Sequence, residues 1–131
     1  MSPGKEITVV LYRREFENPD WSYPVDEEAL ARFIEKLSTQ LETLAVRVQF
    51  VCQPEQCARV RGYGDLLNAV RLRSPQDNIA NLCLGHILGS SDNRDLFEDI
   101  QRGVTRVAFA PEMIEPEGSN KIVCHNCGCG C

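Results

Sequence analysis

The first half of the sequence constrains the fold more than any other feature. Residues 7–14 (ITVVLYRR) are β-branched and aromatic, and apolar residues fall on both faces, which is typical of an interior strand. Acidic residues at 26–28 then open a segment whose apolar residues recur at helical spacing as far as Leu44. Residues 46–52 alternate apolar and polar side chains, as a second strand would. The pattern predicts a β-α-β unit with parallel strands and a right-handed crossover.

The middle of the chain predicts two helices. A short helix is expected over residues 65–72, and a longer one from a capping serine at 74 to a glycine at 89. Cys83 and His86 would share the apolar face of the longer helix, so they are interpreted as core residues and not as metal ligands.

The last third predicts another helix over residues 91–103, ended by a glycine, and a strand over 104–110. Residues 121–123 (KIV) could add a short edge strand. These elements predict an α/β or α+β fold, with a sheet of three or four strands flanked by helices. One small domain over residues 1–120 would carry a cysteine-rich tail over 121–131.

Composition narrows the class of protein. A chain of 131 residues with 43% hydrophobic residues can bury a core without disulfides. A formal net charge of -5 argues against a nucleic-acid partner. No run predicts a secretion signal or a membrane span, so the expected compartment is the cytoplasm and no membrane partner is expected. Seven cysteines in that compartment indicate metal ligands or reactive thiols.

The final eight residues hold the candidate site. They form a C-x-x-C-x-C-x-C run with one histidine, and the candidate metal ligands are Cys124, His125, Cys127, Cys129 and Cys131. A spacing of two directs thiols to the same side of an extended segment, and the intervening glycines allow a close fold around a small ligand. Dense thiolates favour soft metals.

The sequence is compatible with several metals and with several roles for this site. Four thiolates suit zinc or an Fe–S cluster, and Cu(I) is possible because it accepts few ligands. A carrier, an assembly factor or a small subunit of a metalloprotein would each use such a tail. One alternative is a thiol redox or sulfur-transfer protein, in which one cysteine resolves another. Another is a non-catalytic subunit anchored to a partner by its tail. A protein partner is expected both for a metal-binding protein and for an anchored subunit. The sequence is also compatible with a homo-oligomer.

Two further cysteines, Cys52 and Cys57, bracket residues 53–56 near the predicted carboxyl end of the second strand. Sites tend to form at that edge of an open α/β sheet. The C-x4-C spacing matches no common zinc knuckle, so the two residues are interpreted as packing residues that could still join the tail site.

Four arginines, Arg59, Arg61, Arg71 and Arg73, form the one locally basic stretch around residues 62–64 (GYG). They could clamp a phosphate, but the glycine spacing matches no phosphate-loop fingerprint. The stretch is interpreted as a solvated helix face that meets acidic neighbours.

Residues 127–130 (CGCG) resemble the C-terminal signature of the A-type iron–sulfur carriers. That resemblance implies Cys127 and Cys129 as paired cluster ligands, with Cys52 or Cys57 as the distant third one. The family's upstream glycine-flanked cysteine motif is absent here, and its fold is mainly β. The ending CGC also resembles the C-x-C terminus of doubly prenylated small GTPases, but the chain has no phosphate-loop lysine motif.

Overall fold

The computed structural model describes residues 5–77, 79–88 and 95–111. The elements in chain order are β1 (Lys5–Phe16), α1 (Glu27–Glu42), β2 (Val46–Val60), α2 (Tyr63–Leu66), β3 (Val70–Ser74), β4 (Ile79–Cys83), α3 (Leu84–Leu88) and α4 (Leu96–Phe109). Short 3₁₀ turns at Leu67–Ala69 and Pro75–Asp77 flank β3.

The strands form one mixed sheet in the order β2-β1-β3-β4. β1 pairs with β2 in parallel and with β3 in antiparallel, and β3 and β4 are also antiparallel. The β-α-β unit predicted from the sequence is therefore confirmed, as is a single small domain that combines a sheet with helices. Within the described residues the sheet has four strands, and two of these, β3 and β4, were not predicted as strands.

Helix α1 begins where the acidic residues predicted it. The carboxylate of Asp26 accepts hydrogen bonds from the backbone amides of Glu28 and Ala29, which satisfies two of the free amides at the helix start. Its apolar stripe is buried against the sheet through Leu30, Ile34, Leu37 and Leu41. Helix α4 is capped in the same way by Asp95 and buries a comparable stripe. None of the described helices has the length and apolarity that a membrane span requires.

The prediction for residues 65–89 is wrong in most of its length. The short helix predicted over 65–72 begins at Tyr63 and gives way to β3, and the long helix predicted over 74–89 is the strand β4 followed by the single turn of α3. The apolar residues in this region fit both the spacing of a helix and the alternation of a strand. Pairing of β3 with β1 on one side and with β4 on the other selects the strand.

The strand predicted over residues 104–110 is also wrong, because α4 continues through Gly103 to Phe109. Val104 and Val107 lie on the same buried helix face as Ile100. Burial of that face outweighs the preference of β-branched residues for strands. The strand predicted over 121–123 and the domain boundary at 120 lie outside the described residues.

Candidate functional site

All five predicted metal ligands lie outside the described residues, which end at Pro111. The candidates concerned are Cys124, His125, Cys127, Cys129 and Cys131. Before that point, the end of α4 is fixed to the start of the sheet. The ammonium of Lys5 donates hydrogen bonds to the carbonyl oxygens of Val107 at 2.8 Å and Ala108 at 3.1 Å. The last turn of α4 therefore lies beside the first residue of β1.

Cys52 and Cys57 flank an irregularity inside β2. Arg13 of β1 pairs with Cys57, whereas the residue before Arg13 pairs with Gln53, so residues 54–56 have no counterpart in β1. The expectation that β2 ends at Cys52 is wrong, because the strand resumes after the irregularity and continues to its end at residue 60. Extra residues of this kind are left out of the ladder, and such irregularities commonly bend a strand.

The two thiols contact different carboxylates. Sγ of Cys52 lies 3.7 Å from Oε1 of Glu27, and Sγ of Cys57 lies 3.6 Å from Oε2 of Glu15. Partial desolvation raises the pKa of the Cys52 thiol most, although the residue as a whole is exposed, and the carboxylate of Glu27 raises that pKa further. The Arg14 guanidinium opposes the shift but does not reverse it. Cys52 is therefore a neutral thiol near pH 7 and lacks the activation of a nucleophilic cysteine.

Cys83 and His86 are core residues, as predicted. Cys83 is 0% exposed at the end of β4 and His86 is 2% exposed in α3, and the backbone amide of His86 donates to Sγ of Cys83 at 3.4 Å. They do not share a helix, which corrects that part of the prediction. Within residues 5–77, 79–88 and 95–111, no group of three histidine, cysteine or acidic residues is placed to hold a metal ion.

The first two arginines of the basic stretch meet an acidic neighbour in solvent, as interpreted from the sequence. Arg59 and Arg61 lie 4.0 Å and 3.4 Å from the carboxylate of Glu17, and both side chains are highly exposed. They lie at the end of β2 and in the bend after it, so their assignment to a helix face is wrong. Exposed pairs of this kind add little to stability.

The other two arginines lie on β3 and not on a helix. The guanidinium of Arg71 is buried 5.0 Å from the centre of the Tyr12 ring, which is cation–π geometry. Arg73 donates to the side-chain oxygens of Asn81 and Gln53, and Asn81 donates to the Tyr12 hydroxyl at 2.9 Å. These contacts join side chains from all four strands into one polar cluster.

A buried polar network was missed by the sequence analysis. The hydroxyl of Tyr63 donates to Oδ2 of Asp99 at 2.5 Å, and Arg102 forms an ion pair with Oδ1 of the same carboxylate at 3.1 Å. Asp99 is 0% exposed. Burial and the hydrogen bond to Asp99 raise the pKa of Tyr63 well above its ordinary value. One sequence feature could have indicated this network: Asp99 lies on the apolar face of α4, three residues after Leu96.

A groove of about 840 Å³ runs along α1 at the outer strand of the sheet. Its helix side carries Glu35, Ser38 and Glu42, and its strand side carries Val48 and Phe50. Sequence patterns alone did not indicate it, because it is formed by two elements whose relative position depends on the crossover. It is a candidate binding surface whose lining combines acidic side chains from α1 with apolar side chains and with the basic residues Lys5 and Arg47.

No protein-family model, no curated protein and no solved structure matches this chain. The resemblance to the A-type carriers is therefore confined to residues 127–130. The described fold, a mixed sheet with a long crossover helix, also differs from the mainly β fold of that family.

Proposed function

We propose that this protein binds a soft metal or an Fe–S cluster through the thiolates of its C-terminal segment. The ligands would be Cys124, Cys127, Cys129 and Cys131, with His125 as a substitute for one thiolate. The observation that carries the proposal is four thiols within eight residues, three of them at a spacing of two that would direct them to the same side of an extended segment. We assign it a role as a carrier, an assembly factor or a small subunit, in the cytoplasm and with a protein partner.

The position of the hydrophobic core supports a separate role for the tail. The buried apolar residues of the described fold run from Ile7 to Val107, so the described strands and helices already form a core. Cysteines needed as staples would be expected to tie core elements together. The tail cysteines are instead added after the last core helix, which suits a ligand-binding extension.

The described cysteines favour a site formed by the tail alone. Cys52 and Cys57 contact different carboxylates, and the pKa of the Cys52 thiol is raised, so a metal would have to displace its proton against the field of Glu27. Cys83 is buried in the core. We therefore expect neither Cys52 nor Cys57 to be a required ligand.

The test is metal retention after anaerobic purification, measured by elemental analysis and visible absorption. An Fe–S cluster gives visible absorption, and zinc is retained without colour. Replacing Cys127 and Cys129 together with serine should abolish retention, since serine lacks a soft, readily ionised sulfur. The matched control replaces Cys52 and Cys57 with serine and should keep the metal.

An unchanged metal content in the Cys127→Ser/Cys129→Ser protein would contradict the proposal. Loss of metal in the control would instead show that the site includes β2. A wild-type protein that holds neither metal nor cluster would favour the thiol redox alternative, with reversible disulfide formation in the tail as its signature.

A further inference from the structure

The outer edge of β2 presents backbone groups that no other described strand pairs with. β2 is an outermost strand among those that the structure describes, and its register with β1 is regular from Val46 to Gln53. The backbone amide of Val48 donates to Oγ of Ser38 at 3.0 Å and not to β1. Because alternate residues of a strand direct their backbone groups to opposite sides, Phe50 also directs its amide and carbonyl outward, and so does Cys52.

The rest of this edge is protected against pairing. Ser38 satisfies the amide of Val48, and the irregularity at residues 54–56 includes Pro54, which has no amide hydrogen. Bulges and prolines are common means of blocking exposed edges. The open stretch is therefore short and is centred on residues 50–52.

The two sides of this stretch differ in chemistry. On the side of α1, the groove carries the carboxylates of Glu35 and Glu42, which form no ion pair with another described residue, and the half-buried ring of Phe50. On the opposite side of the strand, Val51 is 38% exposed. The exposed Arg47 lies on the same side of β2 as Val51. A strand added at this edge would therefore meet negative charge on the α1 side, and an apolar side chain and a positive charge on the other side.

We propose that the outer edge of β2 binds an extended segment of another protein whose side chains alternate between basic and apolar residues. The added strand would pair with the outward backbone groups of Phe50 and Cys52. Its lysine or arginine stems would cover the Phe50 ring and bring their charges to Glu35 and Glu42, since long basic side chains can bury their stems and keep the charge in water. Its apolar residues would contact Val51.

Charge distinguishes this occupant from a second copy of the chain. Two-fold pairing of β2 with itself would place both α1 helices on the same face of the extended sheet. Glu35 and Glu42 of one copy would then face those of the other, and like charges across an interface suppress pairing. The proposal does not depend on the tail site, because all of its groups belong to α1 and β2.

The probe is a seven-residue peptide of alternating lysine and valine, with blocked ends, titrated into the full-length protein. Binding is followed by calorimetry and by amide hydrogen exchange. The exchange of the Phe50 and Cys52 amides should slow on binding, while that of the Val51 amide, which faces β1, should stay unchanged. A peptide that carries an N-methyl group on every amide should not bind, because neither of its edges can then donate hydrogen bonds to β2.

Two variants test the charges. Glu35→Gln/Glu42→Gln should weaken binding of the lysine–valine peptide by about 2- to 30-fold, since each exposed ion pair contributes about 0.2–1 kcal/mol. The matched control, Glu28→Gln/Glu98→Gln, removes the same charge from exposed helix positions away from the groove and should bind as the wild type does.

Three results would overturn the proposal. Equal binding of the N-methylated peptide would show attraction by charge alone. Slow exchange of the Phe50 and Cys52 amides in the free monomer would show that the chain covers this edge itself. Slow exchange that appears only as the protein dimerises at higher concentration would identify a second copy as the occupant.

Discussion

Replacing Gly103 with alanine tests the packing of α4 most directly. A Cβ atom at this position would lie 2.4 Å from Cδ1 of Leu84 and 3.4 Å from Cδ1 of Leu72. Favourable contacts between carbon atoms are about 3.5–4.0 Å, so the Leu84 side chain would have to move by more than about 1 Å. Leu84 is 0% exposed, and Leu72 is equally buried, so there is little room for that movement.

Two opposing effects set the size of the change. Alanine is favoured over glycine inside a helix by about 1 kcal/mol. Inserting a methyl group into a packed core costs about 1–3 kcal/mol. We therefore expect Gly103→Ala to lower the free energy of unfolding by up to about 2 kcal/mol, with the cost of displacing Leu84 exceeding the gain in helix propensity.

The assay is urea denaturation followed by circular dichroism. The control is Gln101→Ala, at an exposed position of the same helix, which should leave stability unchanged or slightly raised. Repeating Gly103→Ala in a Leu84→Ala background should reverse its sign, because the new methyl group then enters the space left by Leu84. A single Gly103→Ala protein about 1 kcal/mol more stable than the wild type would refute the described contact between α3 and α4.

Two further predictions concern titratable groups. Tyr63→Phe should lower stability by about 1.5–3 kcal/mol, the usual contribution of a hydrogen bond to a charged group such as Asp99. Because folding raises the pKa of Tyr63, its protonated form favours the fold, and that stability is full below the unfolded value of about 10 and falls as pH rises above it. Urea midpoints from pH 7 to 11 should show the extra alkaline loss in the wild type only, and an identical loss in both proteins would contradict the assignment. Glu27→Gln should speed alkylation of Cys52 at pH 8, since it removes a carboxylate that raises the thiol pKa. Mass spectrometry would follow the rate with Cys57 as an internal reference, and an unchanged ratio of the two rates would argue against that role of Glu27.

The β-α-β unit could be predicted because local and tertiary signals agree in residues 5–60. Helix α1 has a capping acid, an acidic first turn and an apolar stripe, and each strand beside it is rich in β-branched residues. The irregularity at residues 54–56 could not be predicted, because it is defined only by the register with β1. The carboxyl end of β2 was therefore placed too early.

The segment from residue 70 to 83 could not be assigned from its own pattern. Ile79, Leu82 and Cys83 fit one helix face as well as they fit a short buried strand, and the preceding serine and proline suggest a helix start. What decides the outcome is β1, which supplies the pairing edge for β3 from more than 50 positions upstream. Information at that distance is absent from local periodicity.

The candidate binding groups were predictable to different degrees. The tail cysteines are visible in the sequence because their spacing alone carries the signal. The open edge of β2 is not, since it depends on which strand ends up outermost. The pairing of Tyr63 with Asp99 across 36 positions is also a product of the tertiary fold.

The central position of β1 in the sheet delays its pairing during synthesis of the chain. β1 is bonded on both sides, and both partners, β2 and β3, follow it in the sequence. Its residues 7–11 (ITVVL) are uncharged and strongly β-forming, the type of segment that aggregates when its edges are exposed. The nascent chain must keep this segment apart from other chains until residue 74 has emerged from the ribosome, and we expect chaperones to bind there first.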